Sequence, residues 1–127
     1  MESGKKVVLV VEDHPINMRL AAELLEQGGF EAVQAGDGET ALEWLKTRRP
    51  DLILLDLGLP GLSGGEVLRE IRRDPRLSGV PVSAFTAMVM RETREEIQGM
   101  GFDHYISKPV DTAEFLRVVR EATAATR

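Results

Sequence analysis

The sequence has 127 residues, a net charge of −5 and no cysteine. This length fits one domain, the acidic balance argues against a protein whose main task is to grip nucleic acid, and the missing cysteines exclude disulfides, thiolate catalysis and cysteine-ligated metal sites. The first apolar run, Val7–Val11, is too short for a signal peptide or a membrane span. We therefore expect a cytoplasmic protein without a membrane segment.

Five short apolar segments have the length and composition of strands that are buried on both faces. In chain order they are Val7–Val11, Glu31–Ala35, Leu52–Leu55, Val80–Phe85 and Asp103–Ser107. The second and fifth are the weakest of the set, because polar residues interrupt them.

Helical patterns follow each of these strands. Apolar residues recur at helical spacing, as in the repeat of Ile16, Leu20 and Leu24. Proline suits the first turn of a helix, whereas glycine, or a residue before proline, ends one. Asp111 is followed three residues later by Glu114, an acidic version of the capping box. The predicted helices run from Pro15 to the glycine pair 28–29, from the N-cap Asp37 to before Pro50, from about Gly65 to Arg73, from about Met90 to Gln98, and from Asp111 onward.

Strand and helix thus alternate five times along the chain. Such alternation implies right-handed parallel crossovers and one sheet with helices on both faces. We therefore predict an α/β fold, a five-stranded parallel sheet in a doubly wound (βα)5 arrangement, as a single domain over residues 1–127 with its core at about 5–122.

Polar side chains follow four of the predicted strands. Glu12 and Asp13 end the first strand, Asp56 the third, Thr86 the fourth and Lys108 the fifth. In a doubly wound sheet, ligands bind outside the carboxyl ends of the strands. We therefore expect three carboxylates, a hydroxyl and an ammonium group to converge on one edge of the sheet.

Three carboxylates at one edge repel one another, by roughly 4 kcal/mol for each pair 4 Å apart at an effective dielectric constant near 20. Mg²⁺ is the natural counter-charge, because it prefers a few carboxylate oxygens and keeps several waters. Lys108 adds a second positive charge. Asp56, held between these cations, suits a carboxylate nucleophile that attacks phosphorus, and the Thr86 hydroxyl could hydrogen-bond a phosphoryl oxygen.

Four motifs in the same order along the chain carry a resemblance to a known family. They are Val8–Asp13, Asp51–Asp56 with Pro60-Gly61 after it, Phe85-Thr86-Ala87 and Tyr105–Pro109. Together they resemble a response-regulator receiver domain of two-component signalling, over about Lys5 to Ala122. Within that family the chain is similar to single-domain DivK-like receivers and to receiver modules of hybrid histidine kinases.

The resemblance implies a flavodoxin-like receiver fold and a role for each site residue. Asp56 would be the phosphoacceptor, and Lys108 would contact its phosphoryl group. Asp13 and Asp56 would bind Mg²⁺ directly with the backbone carbonyl of Gly58, while Glu12 would act through a bound water. Glycine at position 58 departs from the family pattern, in which a larger side chain tunes dephosphorylation.

The resemblance also implies a switch. Thr86 would move toward the phosphoryl group and let Tyr105 swing inward, which would reshape the surface of the fourth helix, fifth strand and fifth helix. Met88 and Met90 would lie in that partner surface, although both could equally be ordinary packing residues. The implied partners are a histidine kinase or histidine phosphotransfer protein and a downstream protein effector. The chain would catalyse nothing beyond its own phosphorylation and dephosphorylation.

Three other functions are weaker alternatives. A phosphatase of the haloacid-dehalogenase type needs a second acid two residues after the nucleophile, where this chain has Gly58. A flavin-binding module needs a phosphate-binding loop after the first strand, where Glu12 and Asp13 would repel an anion. An interaction scaffold without phosphorylation would have no use for the full acidic set together with Lys108.

Overall fold

The computed structural model describes residues 4–86, 98–107 and 111–124, with the backbone alone at Thr86 and Ser107. Five parallel strands form one sheet in the order β2-β1-β3-β4-β5. The strands are β1 (Val7–Val11), β2 (Glu31–Ala35), β3 (Leu52–Leu55), β4 (Val82–Thr86) and β5 (His104–Ser107).

Four helices are described around this sheet, together with a short 3₁₀ helix at Pro75–Leu77. The helices are α1 (Pro15–Gln27), α2 (Gly38–Leu45), α3 (Gly64–Arg73) and α4 (Thr112–Ala124). The helix predicted from about Met90 to Gln98 lies outside the described residues except for Gln98. No helix in the described ranges is long and apolar enough to cross a membrane.

Two hydrophobic clusters cover the two faces of the sheet. Leu9 and Val11 of β1 point into a cluster with α2 and α3, whereas Val8 and Val10 point into a cluster with α1 and α4. This alternation along a fully buried strand is the reason that β1 reads as an uninterrupted apolar run. The predicted fold class, one doubly wound parallel sheet, is confirmed.

Three strand boundaries differ from the prediction. The fourth strand begins at Val82 instead of Val80, because Pro81 has no amide hydrogen to donate to the ladder, and it ends at Thr86 instead of Phe85. The fifth begins at His104 instead of Asp103. The Asp103 carboxylate is occupied elsewhere, since it accepts hydrogen bonds from the backbone N–H of Val82 (2.9 Å) and from Arg72 (2.7 Å).

The buried face of α1 differs from the predicted four-residue repeat. Leu24 is buried, but Ile16 is 71% exposed and Leu20 is 39% exposed. An α-helix advances 100° per residue, so a repeat of four residues drifts by roughly 40° at each step and leaves one face. The residues of α1 that are buried instead follow the helical period, namely Met18, Ala21, Ala22, Leu24 and Leu25.

At the helix starts, the structure confirms the predicted cap of α2 and one of the two hydrogen bonds of the capping box that was predicted for α4. Asp37 caps α2 by accepting a hydrogen bond from the Thr40 N–H at 2.7 Å. Asp111 likewise accepts from the Glu114 N–H at 3.0 Å. The Glu114 carboxylate, however, binds Arg117 at 2.7 Å, so the acidic capping box that the spacing predicts is half formed.

Candidate functional site

Three carboxylates meet at the carboxyl edge of the sheet. Glu12, Asp13 and Asp56 each offer one oxygen, and these oxygens all lie within 4.8 Å of one another. The strand register explains the meeting, because Val11 of β1 pairs with Leu55 of β3 and the acids follow directly. Glu12 and Asp56 are buried, at 1% and 7% exposure, while Asp13 is exposed. The cluster therefore opens to solvent through Asp13.

Glu12 is fixed by two backbone contacts. Its N–H donates to the carbonyl of Ala35 at 3.0 Å, which extends the pairing of β1 with β2 by one residue. Its Oε2 accepts a hydrogen bond from the His14 N–H at 2.9 Å. The buried carboxylate is thus tied to the turn that leads into α1.

Asp56 is fixed in a similar way. Its N–H donates to the carbonyl of Val11 at 3.0 Å, so the backbone continues the ladder between β3 and β1. Its Oδ1 accepts a hydrogen bond from the Gly58 N–H at 2.9 Å, a local turn that aspartate commonly makes. One oxygen of the buried carboxylate is therefore held by its own loop.

Gly58 is exposed beside this carboxylate. A methyl group on Gly58 would stand 3.7 Å from Asp56 Oδ1 and would touch no other atom of the residues that the structure describes. The position therefore has room for a side chain next to the carboxylate, and glycine leaves that approach uncovered.

The structure describes only some of the remaining predicted site residues. Thr86 ends β4, and Ala84, two residues before it, pairs with Leu55, so Thr86 lies at the same edge of the sheet as Asp56. Tyr105 lies on β5 and is half-buried. Lys108 is outside the described residues, and so are Met88 and Met90. The structure thus brings together the three acids, with Gly58 and the end of β4 beside them.

A cavity of about 290 Å³ lies between β5 and α4, lined in part by His104, Tyr105 and Arg117. Arg117 donates hydrogen bonds to Glu114 (2.7 Å) and Glu121 (3.1 Å). These bonds, above all the one to Glu114, raise the pKa of Arg117. The exposed side of α4 therefore carries a positive charge that its own helix compensates.

The donor set of the acidic cluster fits a hard divalent cation. All three side chains supply carboxylate oxygens, which Mg²⁺ prefers over nitrogen or sulfur ligands. Their mutual repulsion would fall when a cation lies among them. The residues present therefore suit Mg²⁺ better than a soft transition metal.

Sequence reasoning missed how α3 begins. Ser63 caps this helix, accepting from the Glu66 N–H at 3.2 Å, while Glu66 Oε1 accepts from the Ser63 N–H at 2.8 Å. The signal was present, because Ser63 and Glu66 have the spacing of a capping box. The helix consequently starts at Gly64, one residue earlier than predicted.

Comparison with known proteins identifies the family. The sequence model described as "Response regulator receiver domain" matches residues 8–120. The chain belongs to this family. The resemblance drawn from the four motifs is thereby confirmed, and the protein is a receiver domain of the two-component response-regulator type.

Named relatives of this receiver domain are similar over nearly their whole length. The polar-differentiation response regulator DivK of Brucella anthropi is 39% identical over 115 residues, covering 91% of this chain and 94% of the relative. DivK of Brucella ovis is 38% identical over 115 residues, with coverage of 91% and 94%.

Solved structures of receiver domains and response regulators superimpose closely on this chain. The receiver domain of the sensor histidine kinase PA1611 from Pseudomonas aeruginosa, with magnesium coordinated in its active-site cleft, superimposes with a TM-score of 0.87 at 31% identity, covering 95% of this chain and 99% of that one. A putative response regulator from Chloroflexus aurantiacus gives a TM-score of 0.89 at 25% identity, with coverage of 94% and 98%.

Proposed function

We propose that this receiver domain accepts a phosphoryl group on Asp56 in a Mg²⁺-dependent reaction, from the phosphohistidine of a histidine kinase or histidine phosphotransfer protein. The observation that carries the proposal is the cluster of Glu12, Asp13 and Asp56, whose carboxylate oxygens lie within 4.8 Å of one another. The negative charge of the three carboxylates attracts a cation, and the bound cation can in turn bind a phosphoryl group.

Asp56 supplies the nucleophile. Its Oδ1 is held by the Gly58 N–H, so the carboxylate is oriented and its second oxygen attacks phosphorus. A bond forms between that oxygen and phosphorus, the phosphorus–nitrogen bond of the donor breaks, and its electron pair stays with the imidazole. Burial of Asp56 limits competition from water.

Asp13, Asp56 and the Gly58 carbonyl would hold the Mg²⁺ ion directly, and Glu12 through a water. When bound, the ion would neutralise charge on the phosphoryl oxygens. The magnesium in the cleft of the PA1611 receiver domain supports this assignment. The His14 N–H keeps the Glu12 carboxylate in place beside Asp13.

Lys108 and Thr86 complete the proposed site. Thr86 ends β4, at the edge that carries Asp56, and Lys108 follows β5 in the sequence. Lys108 would bind one phosphoryl oxygen, and Thr86 would donate its hydroxyl to another. Phosphorylation adds about −1.5 to −2 charges, and this change would draw Thr86 inward.

The proposed output is a change of surface. Tyr105 is half-buried and lines a cavity beside α4. A Tyr105 shift coupled to Thr86 would reshape the face of β5 and α4, which is the fifth predicted helix. Met88 and Met90, at the start of the fourth predicted helix, would contribute to the same partner surface. The receiver would act as a cytoplasmic switch that catalyses only its own phosphorylation and dephosphorylation, with a downstream protein as effector.

A protein donor is favoured by the surface next to the site. Ile16, which is 71% exposed, lies on the first turn of α1, three residues after Asp13. Leu20, one turn further along, is 39% exposed. Exposed apolar side chains beside a reactive site suit contact with another protein more than with a small anionic donor.

Labelling with acetyl phosphate, followed by intact mass, tests the proposal. The wild type should gain one phosphoryl group when Mg²⁺ is present and none when it is chelated. Asp56→Asn should not be labelled, whereas Asp37→Asn, at the half-buried N-cap of α2 near the same edge, should be labelled like the wild type. Equal labelling of Asp56→Asn and the wild type would refute the assignment of the phosphoacceptor.

A further inference from the structure

Gly64, the first residue of α3, is buried against the backbone of the proposed phosphoacceptor. A methyl group on Gly64 would stand 2.5 Å from the carbonyl oxygen of Asp56 and 2.9 Å from the Cα of Leu57. Both are backbone atoms, so neither can rotate away. Gly64 does not have a positive φ, and glycine is required here by the close contact and not by the backbone conformation.

The start of α3 is held firmly in this position. Ser63 and Glu66 exchange two hydrogen bonds across the first turn, at 3.2 and 2.8 Å. One turn into the helix, Val67 is fully buried in the core beneath the sheet. Because the helix is fixed at its cap and in the core, it cannot retreat easily from Asp56.

We infer that Gly64 is a positioning residue for Asp56, an inference that rests on the proposed function. The loop from Asp56 to Gly64 leaves the strand and returns to it, so its two ends touch. Within this loop Gly58 donates its N–H to Asp56 Oδ1. The contact at Gly64 therefore fixes the positions of the Asp56 and Leu57 peptide groups. These positions in turn set the direction of the Asp56 carboxylate.

Adding one methyl group at this position should misplace the carboxylate. Carbon atoms pack at roughly 3.5–4.0 Å, so a contact of 2.9 Å with Leu57 forces a shift of about half an ångström or more. A 1 Å misplacement of reacting groups costs roughly 100-fold in rate. We expect Gly64→Ala to label with acetyl phosphate at least about tenfold more slowly than the wild type at saturating Mg²⁺.

The chain offers a matched control in the next residue. Within residues 4–86, 98–107 and 111–124, a methyl group on Gly65 would have one neighbour, Ser63 Oγ at 3.9 Å, which is an ordinary contact. Gly65→Ala should therefore label within about twofold of the wild type, since it moves no reacting group.

The experiment measures initial labelling rates and amide NMR spectra at a temperature where circular dichroism shows each variant folded. Slow labelling and a displaced Gly58 amide resonance in Gly64→Ala, with both near wild type in Gly65→Ala, would support the inference. Wild-type rate and an unmoved Gly58 resonance in Gly64→Ala would overturn it, as would an equal loss in Gly65→Ala. An unlabelled wild type would instead refute the proposed function, and the Gly58 resonance would still decide the positioning role.

Should Gly64→Ala not fold, Ser63→Ala decides the matter. This variant removes the acceptor for the Glu66 N–H and loosens the start of α3 without overpacking it. Labelling at least about threefold slower, with an intact circular dichroism spectrum, would support the inference. An unchanged rate would contradict it.

Discussion

Backbone amides close in sequence hold the two buried carboxylates of the site. The His14 N–H binds Glu12 and the Gly58 N–H binds Asp56, each from two residues further along the chain. Such local hydrogen bonds orient a carboxylate without help from distant elements. Strand register then brings the oriented groups together, because β1 and β3 are neighbours in the sheet.

The same type of bond acts at the N-cap Asp37, where it affects stability. The hydrogen bond from the Thr40 N–H lowers the pKa of Asp37 below its ordinary value of 3.8. A carboxylate whose pKa is lower in the folded state stabilises the fold above its unfolded pKa. That contribution is lost as the pH falls through the lower, folded-state value.

We therefore predict a pH-dependent effect of Asp37→Ala on unfolding by urea. At neutral pH the variant should unfold at a lower urea concentration than the wild type, and the gap should close as the pH falls below 3.8. Asp37→Asn keeps an acceptor for the Thr40 N–H but lacks the charge, so at neutral pH it should unfold at a urea concentration between those of Asp37→Ala and the wild type. A gap of constant size across this pH range would show that the carboxylate charge has no part in the cap.

Among the secondary-structure elements, the first three strands were predicted with the most accurate bounds. The bounds of β1, β2 and β3 agree with the prediction, because both faces of β1 and β3 are buried and their runs end in polar residues. The start of β5 could not be predicted, since it depends on Asp103 binding Arg72 and Val82, which are distant in sequence. The prediction that Ile16 lies on the buried face of α1 was wrong. Exposed apolar residues are common on protein surfaces, so an apolar residue at helical spacing need not be buried.

The exposed face of α1 gives a prediction about the phosphodonor. Ile16→Ala should slow phosphotransfer from a histidine kinase or phosphotransfer protein that labels the wild type, by roughly five- to thirtyfold for a contact worth about 1–2 kcal/mol. Labelling by acetyl phosphate should be unchanged, because Ile16 is exposed and is absent from the acidic cluster.

Met100 provides the control for this surface effect. It is also an exposed apolar residue, at 48%, but it precedes β5, which two strands separate from β1 in the sheet. Met100→Ala should leave phosphotransfer from the same protein donor unchanged. If Ile16→Ala transfers as fast as the wild type from every donor that labels it, α1 is not the donor surface.

At the scale of the whole molecule, the sequence predicted the fold and the edge that carries the acids. Alternating strands and helices admit few topologies, and the ligand-binding edge of a doubly wound sheet is fixed by that topology. The seating of Gly64 on Asp56 could not be predicted, because it depends on how closely α3 approaches β3. The roles of Lys108, Thr86, Tyr105, Met88 and Met90 stay predictions.

The acidic site also sets a relation between magnesium and the stability of the whole domain. Without a cation, Asp13 repels two buried carboxylates within 4.8 Å, and this repulsion acts against folding. Asp13→Asn should therefore raise the free energy of unfolding in the absence of Mg²⁺, by a few tenths to about 1 kcal/mol, since Asp13 is exposed and screened.

Magnesium should reverse this order. At a Mg²⁺ concentration about ten times its Kd, the wild type should gain roughly 1.4 kcal/mol, whereas Asp13→Asn, which lacks one ligand, should gain much less. Urea unfolding of both proteins, with Mg²⁺ and with a chelator, measures the four free energies. Asp37→Asn, which changes a charge outside the cluster, should respond to Mg²⁺ like the wild type. Equal stabilisation of wild type and Asp13→Asn by Mg²⁺ would mean that the ion binds elsewhere, because the loss of a ligand must lower the affinity of the site that contains it.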